Sequence, residues 1–84
     1  MSMNENDLAA IAARADLIAT LPPVEERRTV RRRIGVWISE LARLVGCTRE
    51  FVRRVERGES VPTGEHLVTL SQFYAAAQRG ERAS

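Results

Sequence analysis

Helix-breaking residues recur at short intervals along this chain, and they set what it can fold into. Pro22-Pro23, Gly35, Gly46, Gly58 and Pro62 divide it into short pieces. Proline disfavours helix for the residue before it but is tolerated in a first helical turn. Glycine readily ends a helix in a left-handed turn. The pieces carry apolar residues at helical spacing, and none alternates apolar and polar residues long enough for a strand. The predicted fold is all-α, a compact bundle of about five short helices.

Each piece has its own signals. Leu8, Ile11, Ala15 and Ile18 recur at helical spacing beside Ala12, Leu17 and Leu21, which predicts a first helix from about Asn6 to Leu21. Asn4 or Asn6 suits its cap, with Asp7 in the first turn. A second helix opens at the proline pair, with Glu25 and Glu26 at its positive dipole end and Val30 and Ile34 on one face. Arg27, Arg28, Arg31, Arg32 and Arg33 occupy most of the rest, and Gly35 stops it. The third spans about Ile38 to Val45, with Leu41, Ala42 and Val45 inward and Gly46 at its end. Thr48 then caps a fourth over Arg49 to Arg57, with Val52 and Val55 inward, ended by Gly58. Thr63 caps the last, about Gly64 to Gln78, on a stripe of Leu67, Leu70, Tyr74 and Ala77 with Phe73 alongside. The organisation expected is an extra N-terminal helix in 1–21, a domain over 22–78 and a frayed tail over 79–84.

Composition excludes several classes. Cys47 is the one cysteine and His66 the one histidine, so no internal disulfide, cysteine zinc site or histidine metal cluster is expected. Cys47 reads as a core thiol and His66 as a surface residue. No apolar run approaches a membrane span of ~18 residues. Glu5 and Asp7 precede any apolar stretch, unlike a signal peptide, so a cytoplasmic location is expected. No nucleophile–base pair, carboxylate cluster or phosphate-cradling glycine loop is present. No catalytic residue, cofactor or metal is therefore expected, and the chain reads as a non-enzyme.

Charge is uneven. All 13 basic residues are arginine, against 11 acids, a net charge of only +2. The base composition of the gene accounts for that usage as readily as phosphate and guanine contact do. Residues 1–21 carry a net of −2, residues 22–60 hold ten arginines against six acids, and residues 61–84 balance. A localised basic stretch is the footprint of a phosphate-binding surface, although solvated helix arginines look the same.

Two short helices around a glycine turn outline a helix-turn-helix. The segment from Gly35 to Gly58 resembles the phage repressor and Cro family, the XRE-type helix-turn-helix proteins. The matching positions are Gly35, Glu40-Leu41-Ala42, Gly46-Cys47-Thr48, Val52, Val55-Glu56 and Gly58, with Val30-Arg31 before them and Pro62, Leu67 and Leu70 after. The resemblance covers roughly residues 22–76 and implies a lambda-repressor-like DNA-binding domain. It also implies a structural ion pair between Arg31 and Glu56. Ala42 has to be small where the two helices cross.

The resemblance places base reading on Arg49, Glu50 and Phe51 at the start of helix 49–57, and on Arg53 and Arg54 one turn later. Arginine bonds guanine bidentately, glutamate accepts from cytosine N4, and phenylalanine packs on a thymine methyl. Arg57 and the amides near Thr48 and Ser60 suit phosphate. Glu50 also stands three and four residues before Arg53 and Arg54, a spacing that pairs charges along a helix instead. Trp37 and Ile38 stand where the family has serine or threonine followed by glutamine, so the usual phosphate contact passes to Ser39 or the helix starts differently.

Trp37, Ile38, Leu44 and Phe51 are more apolar surface than a DNA reader needs, and cover by the 6–21 helix or by a partner is expected. The function implied is a sequence-specific transcriptional regulator, a small repressor or Cro-like protein binding double-stranded DNA as a homodimer on paired half-sites. The dimer contact falls to the 6–21 helix or to the last helix. The chain ends soon after the motif, so no effector domain is expected. The alternative is a protein-interaction module on the same fold, an antitoxin or inhibitor of a host factor, using Trp37, Ile38, Leu44 and Phe51.

Overall fold

The computed structural model describes residues 4–80. The end of the predicted tail, residues 81–84, lies outside the described residues. Five helices follow in order: α1 (Glu5–Ala19), α2 (Val24–Arg33), α3 (Ile38–Val45), α4 (Arg49–Arg57) and α5 (Gly64–Gln78). The bounds of α3, α4 and α5 fall where capping and stop residues predict them. Pro23 stands at the N-cap of α2 rather than inside its first turn, and α1 stops before Thr20.

Local chemistry explains the ends. The Asn4 carboxamide accepts from the Asp7 amide at 2.8 Å, so Asn4 rather than Asn6 caps α1. Thr48 Oγ1 accepts from the Phe51 amide at 3.0 Å and caps α4. Thr63 is the N-cap of α5, as expected, and makes no side-chain hydrogen bond there. Gly46 lies at φ 81°, a conformation that penalises any Cβ, and the Gly46 and Cys47 amides both donate to the Ala42 carbonyl. Gly58 is constrained twice over. Its φ is 75°, and a Cβ there would meet the Val24 side chain at 2.9 Å.

The core lies between α2, α3, α4 and α5. Leu41, Val52, Val55, Leu70 and Tyr74 are completely buried, joined by Val36, Ala42, Leu67 and Ala77. Burying one such aliphatic side chain contributes about 1.5–3 kcal/mol. Helices α3 and α4 pack on each other, α2 packs on α4 and α5, and α3 also meets α5. Ala42 is buried at the α3–α4 crossing, as its size demands.

Helix α1 carries its apolar residues at helical spacing without burying them: none of its residues is buried, and Leu8 and Ile11 are more than half exposed. It packs only against α5, through its C-terminal end. Leu17 and Ile18 reach the core edge, Leu21 is buried, and the Thr20 and Ser71 hydroxyls share a 2.6 Å hydrogen bond. The alanine-rich first turns are exposed along their length. Helical spacing reports that a face exists, not that the same chain covers it.

Candidate nucleic-acid interface

Helix α4 is amphipathic in the sense a surface reader needs. Val52 and Val55 lock one side into the core, and Glu56 is buried beside them. That orientation leaves Arg49, Glu50, Arg53, Arg54 and Arg57 exposed on the other side. Ser39 in the first turn of α3 and Thr48 at the N-cap of α4 are also exposed. The Thr48 hydroxyl is engaged by its cap, so its side chain fixes the start of α4.

The helix is held at its inner edge by the Arg31–Glu56 pair. Arg31 Nε donates to one Glu56 oxygen at 2.5 Å and Nη2 to the other at 3.2 Å. Arg31 Nη1 donates to the Val36 carbonyl at 2.9 Å, so one guanidinium ties α2, the α2–α3 turn and α4 together. Both side chains are buried, which makes the pair scaffold, as the resemblance implies.

Glu50 lies 3.8 Å from Arg53 and 3.9 Å from Arg54, and Arg57 lies 3.9 Å from Glu59. These separations exceed hydrogen-bond length, and exposed pairs of this kind contribute ~0–1 kcal/mol. The arginine tips are biased along the helix and remain free to turn outward. Both sequence readings of Glu50, pairing and base contact, are therefore open to the same side chain.

The four apolar positions divide. Ile38 and Phe51 pack partly against the core, and Phe51 sits 5.7 Å from the His66 ring, centroid to centroid. His66 is thus half-buried rather than a plain surface residue. Leu44 and Trp37 are 51% and 76% exposed. Helix α1 covers none of them, because it lies on α5, and this corrects the expected cover by the 6–21 helix. Cys47 is half-buried against the core, and burial pushes its thiol pKa up, away from reactivity.

Sequence reasoning missed a second guanidinium clamp. Arg27 Nε donates to the Pro22 carbonyl at 2.9 Å and Nη1 to the Val55 carbonyl at 2.8 Å. It therefore meets a carbonyl in the last turn of α4, where the helix dipole favours a cation. It also missed that Arg28 and Arg32, four apart on α2, face the same groove as Arg53 and Arg57. Their i,i+4 spacing puts Arg28 and Arg32 on one face of α2, and the packing of α2 on α4 brings that face to the groove.

Among the described residues no group of three or more His, Cys, Asp or Glu side chains is placed to hold a metal, and no helix is long and apolar enough to cross a membrane. A family model described as helix-turn-helix matches residues 28–75, from within α2 into α5. No curated protein and no solved structure matches the chain.

Proposed function

The chain belongs to the helix-turn-helix family of the phage repressor and Cro kind, a family of DNA-binding regulators, and we propose that it is a sequence-specific transcriptional regulator of double-stranded DNA. One observation carries this reading. The burial of Val52, Val55 and Glu56 fixes α4 so that its whole exposed side is Arg49, Glu50, Arg53, Arg54 and Arg57. A short helix of about the width of the major groove, held rigidly and presenting guanidinium forks, suits guanine O6 and N7. Arg49, Glu50, Phe51, Arg53 and Arg54 are the proposed base contacts. Ser39, Arg57 and the amides near Thr48 are the proposed backbone contacts. Small repressors of this kind act as homodimers on half-sites about one helical turn apart, and we extend that arrangement to this chain.

The net charge of +2 favours selectivity over bulk electrostatics, since the acidic α1 offsets the basic face. The test is duplex binding over a range of salt. Affinity that falls steeply as salt rises supports the reading. Absent or salt-independent binding favours the second reading, a protein-interaction module. That second reading rests on the exposure of Trp37 and Leu44 beside the motif.

A further inference from the structure

A groove of about 650 Å³ runs between α2, the α2–α3 turn and α4. Arg28 and Arg32 line it from α2, Arg53 and Arg57 from α4, and Trp37 and Val36 from the turn. Its size falls within the ~300–1,000 Å³ usual for small-molecule sites. Its floor includes the Arg31–Glu56 pair, in which the one carboxylate lining the groove is neutralised by a bidentate guanidinium. The four remaining guanidiniums give the groove a strong positive potential. Arg28 and Arg32 have no acidic partner among the described residues, and the partners of Arg53 and Arg57 are held only loosely.

Trp37 makes this groove more than an anion patch. It is the chain's one tryptophan, and its indole is 76% exposed at the groove wall. The indole is not part of the buried core, and it cannot cap α3 with its side chain, because indole is a donor only. Duplex DNA offers it no ring face, since paired bases are stacked inside the helix. An unpaired base does offer one, and stacking on an aromatic side chain contributes about 1–3 kcal/mol per base.

We infer that this groove binds a free nucleoside polyphosphate, with the base stacked on Trp37 and the phosphates among Arg28, Arg32, Arg53 and Arg57. A consequence that rests on the regulator reading is competition. Arg53 and Arg57 belong both to this groove and to the proposed DNA face, so an occupied groove weakens duplex binding.

The lone indole supplies the assay. ATP titrated into the chain, with Trp37 excited at the red edge of its absorption, gives a saturable quench. Tripolyphosphate binds more weakly and leaves the emission unchanged, and adenosine alone binds more weakly still. By calorimetry, Trp37→Leu and the Arg28→Ala/Arg32→Ala pair each weaken ATP binding about tenfold. All three side chains are exposed, so the variants retain their thermal transitions. No saturable quench, or equal binding of ATP and tripolyphosphate that Trp37→Leu leaves unmoved, overturns the inference. Duplex binding without ATP binding sinks the inference and leaves the regulator reading intact. ATP binding without duplex binding supports the inference and removes that reading.

Discussion

Arg27 on α2 reaches the carbonyl of Val55 on α4, with Nη1 at 2.8 Å. The same carbonyl also accepts from the Gly58 amide that closes the helix. A cation at a helix C-terminus opposes the dipole there, and a hydrogen bond from a charged group contributes about 1.5–3 kcal/mol. Arg27 is partly exposed, which places it at the lower end of that range. Arg27→Ala is expected to lower unfolding stability by about 1–2 kcal/mol. Arg28→Ala, next in sequence but with no such partner, is expected to change it by less than about 0.5 kcal/mol. Urea unfolding of the two variants gives the comparison, and equal effects would remove the clamp.

The Arg31–Glu56 pair has a different signature, because both charges are buried. Removing one partner strands the other, at a cost of about 3–5 kcal/mol. Glu56→Ala is therefore expected to leave the domain barely folded at room temperature. Replacing both, as Arg31→Met with Glu56→Leu, is expected to recover most of the loss, since no uncompensated charge remains. Circular dichroism melts of the single and double variants test this. A single variant within about 1 kcal/mol of the parent contradicts the pair's scaffold role.

Tyr74 gives the fold a pH limit. Its ring is completely buried, its hydroxyl makes no hydrogen bond among the described residues, and burial pushes its pKa well above the usual 10.0. Nearby Glu56 adds to that shift, while Arg27 and Arg31 oppose it. In the unfolded chain the phenol loses its proton near its ordinary value, while the folded form still holds it. The unfolded state then binds fewer protons, so stability falls as pH rises above about 10 and is unaffected below it. Tyr74→Phe is expected to abolish that alkaline loss. It is also expected to be neutral or slightly stabilising at pH 7, because a buried group without a partner is removed. A Tyr74→Phe variant that unfolds at the same alkaline pH as the parent would falsify this assignment.

Much of this architecture was readable because local signals and tertiary packing agree. Thr48, Gly46 and Gly58 fix the ends of α3 and α4 by capping chemistry alone, and Val52 and Val55 orient α4 by spacing. The Arg31–Glu56 pair was legible only through the resemblance, since two residues 25 apart carry no local sign of meeting. Arg27 was not legible, because its partners are backbone carbonyls, which no side-chain pattern announces. The groove was missed for a related reason. Its walls come from α2 and α4, and only their packing brings Arg28 and Arg32 beside Arg53 and Arg57. Helix α1 differs again, since its apolar spacing is real and its first half is exposed.

That exposed half of α1 makes a mutational contrast. Leu8→Ser and Ile11→Ser are expected to shift the stability of the isolated chain by less than about 0.5 kcal/mol, because neither side chain is buried. Ile18→Ala is expected to cost about 1–2 kcal/mol, because Ile18 packs against the core edge. Ser71→Ala is expected to cost about 1 kcal/mol by removing the partner of Thr20. Thermal melts at two protein concentrations check the set. Concentration-dependent losses at Leu8 and Ile11 would instead mean that a second copy covers this face.

The last prediction separates reading from holding on α4. Selection from a random pool first supplies the preferred duplex. On that duplex, Arg49→Ala and Arg54→Ala are each expected to cost about 1–3 kcal/mol, with little effect on random DNA, because a guanidinium fork distinguishes guanine from the other bases. Arg57→Ala is expected to weaken all sequences alike and to reduce the salt slope by about one, as for a phosphate contact. Glu50→Ala removes the loose pairs to Arg53 and Arg54. It also removes a negative charge from the face. Affinity for random duplex is therefore expected to rise while preference for the selected duplex falls, since the carboxylate repels phosphate and restrains both arginines. Equal losses on both duplexes for Arg49→Ala and Arg54→Ala would reduce α4 to a backbone-binding helix.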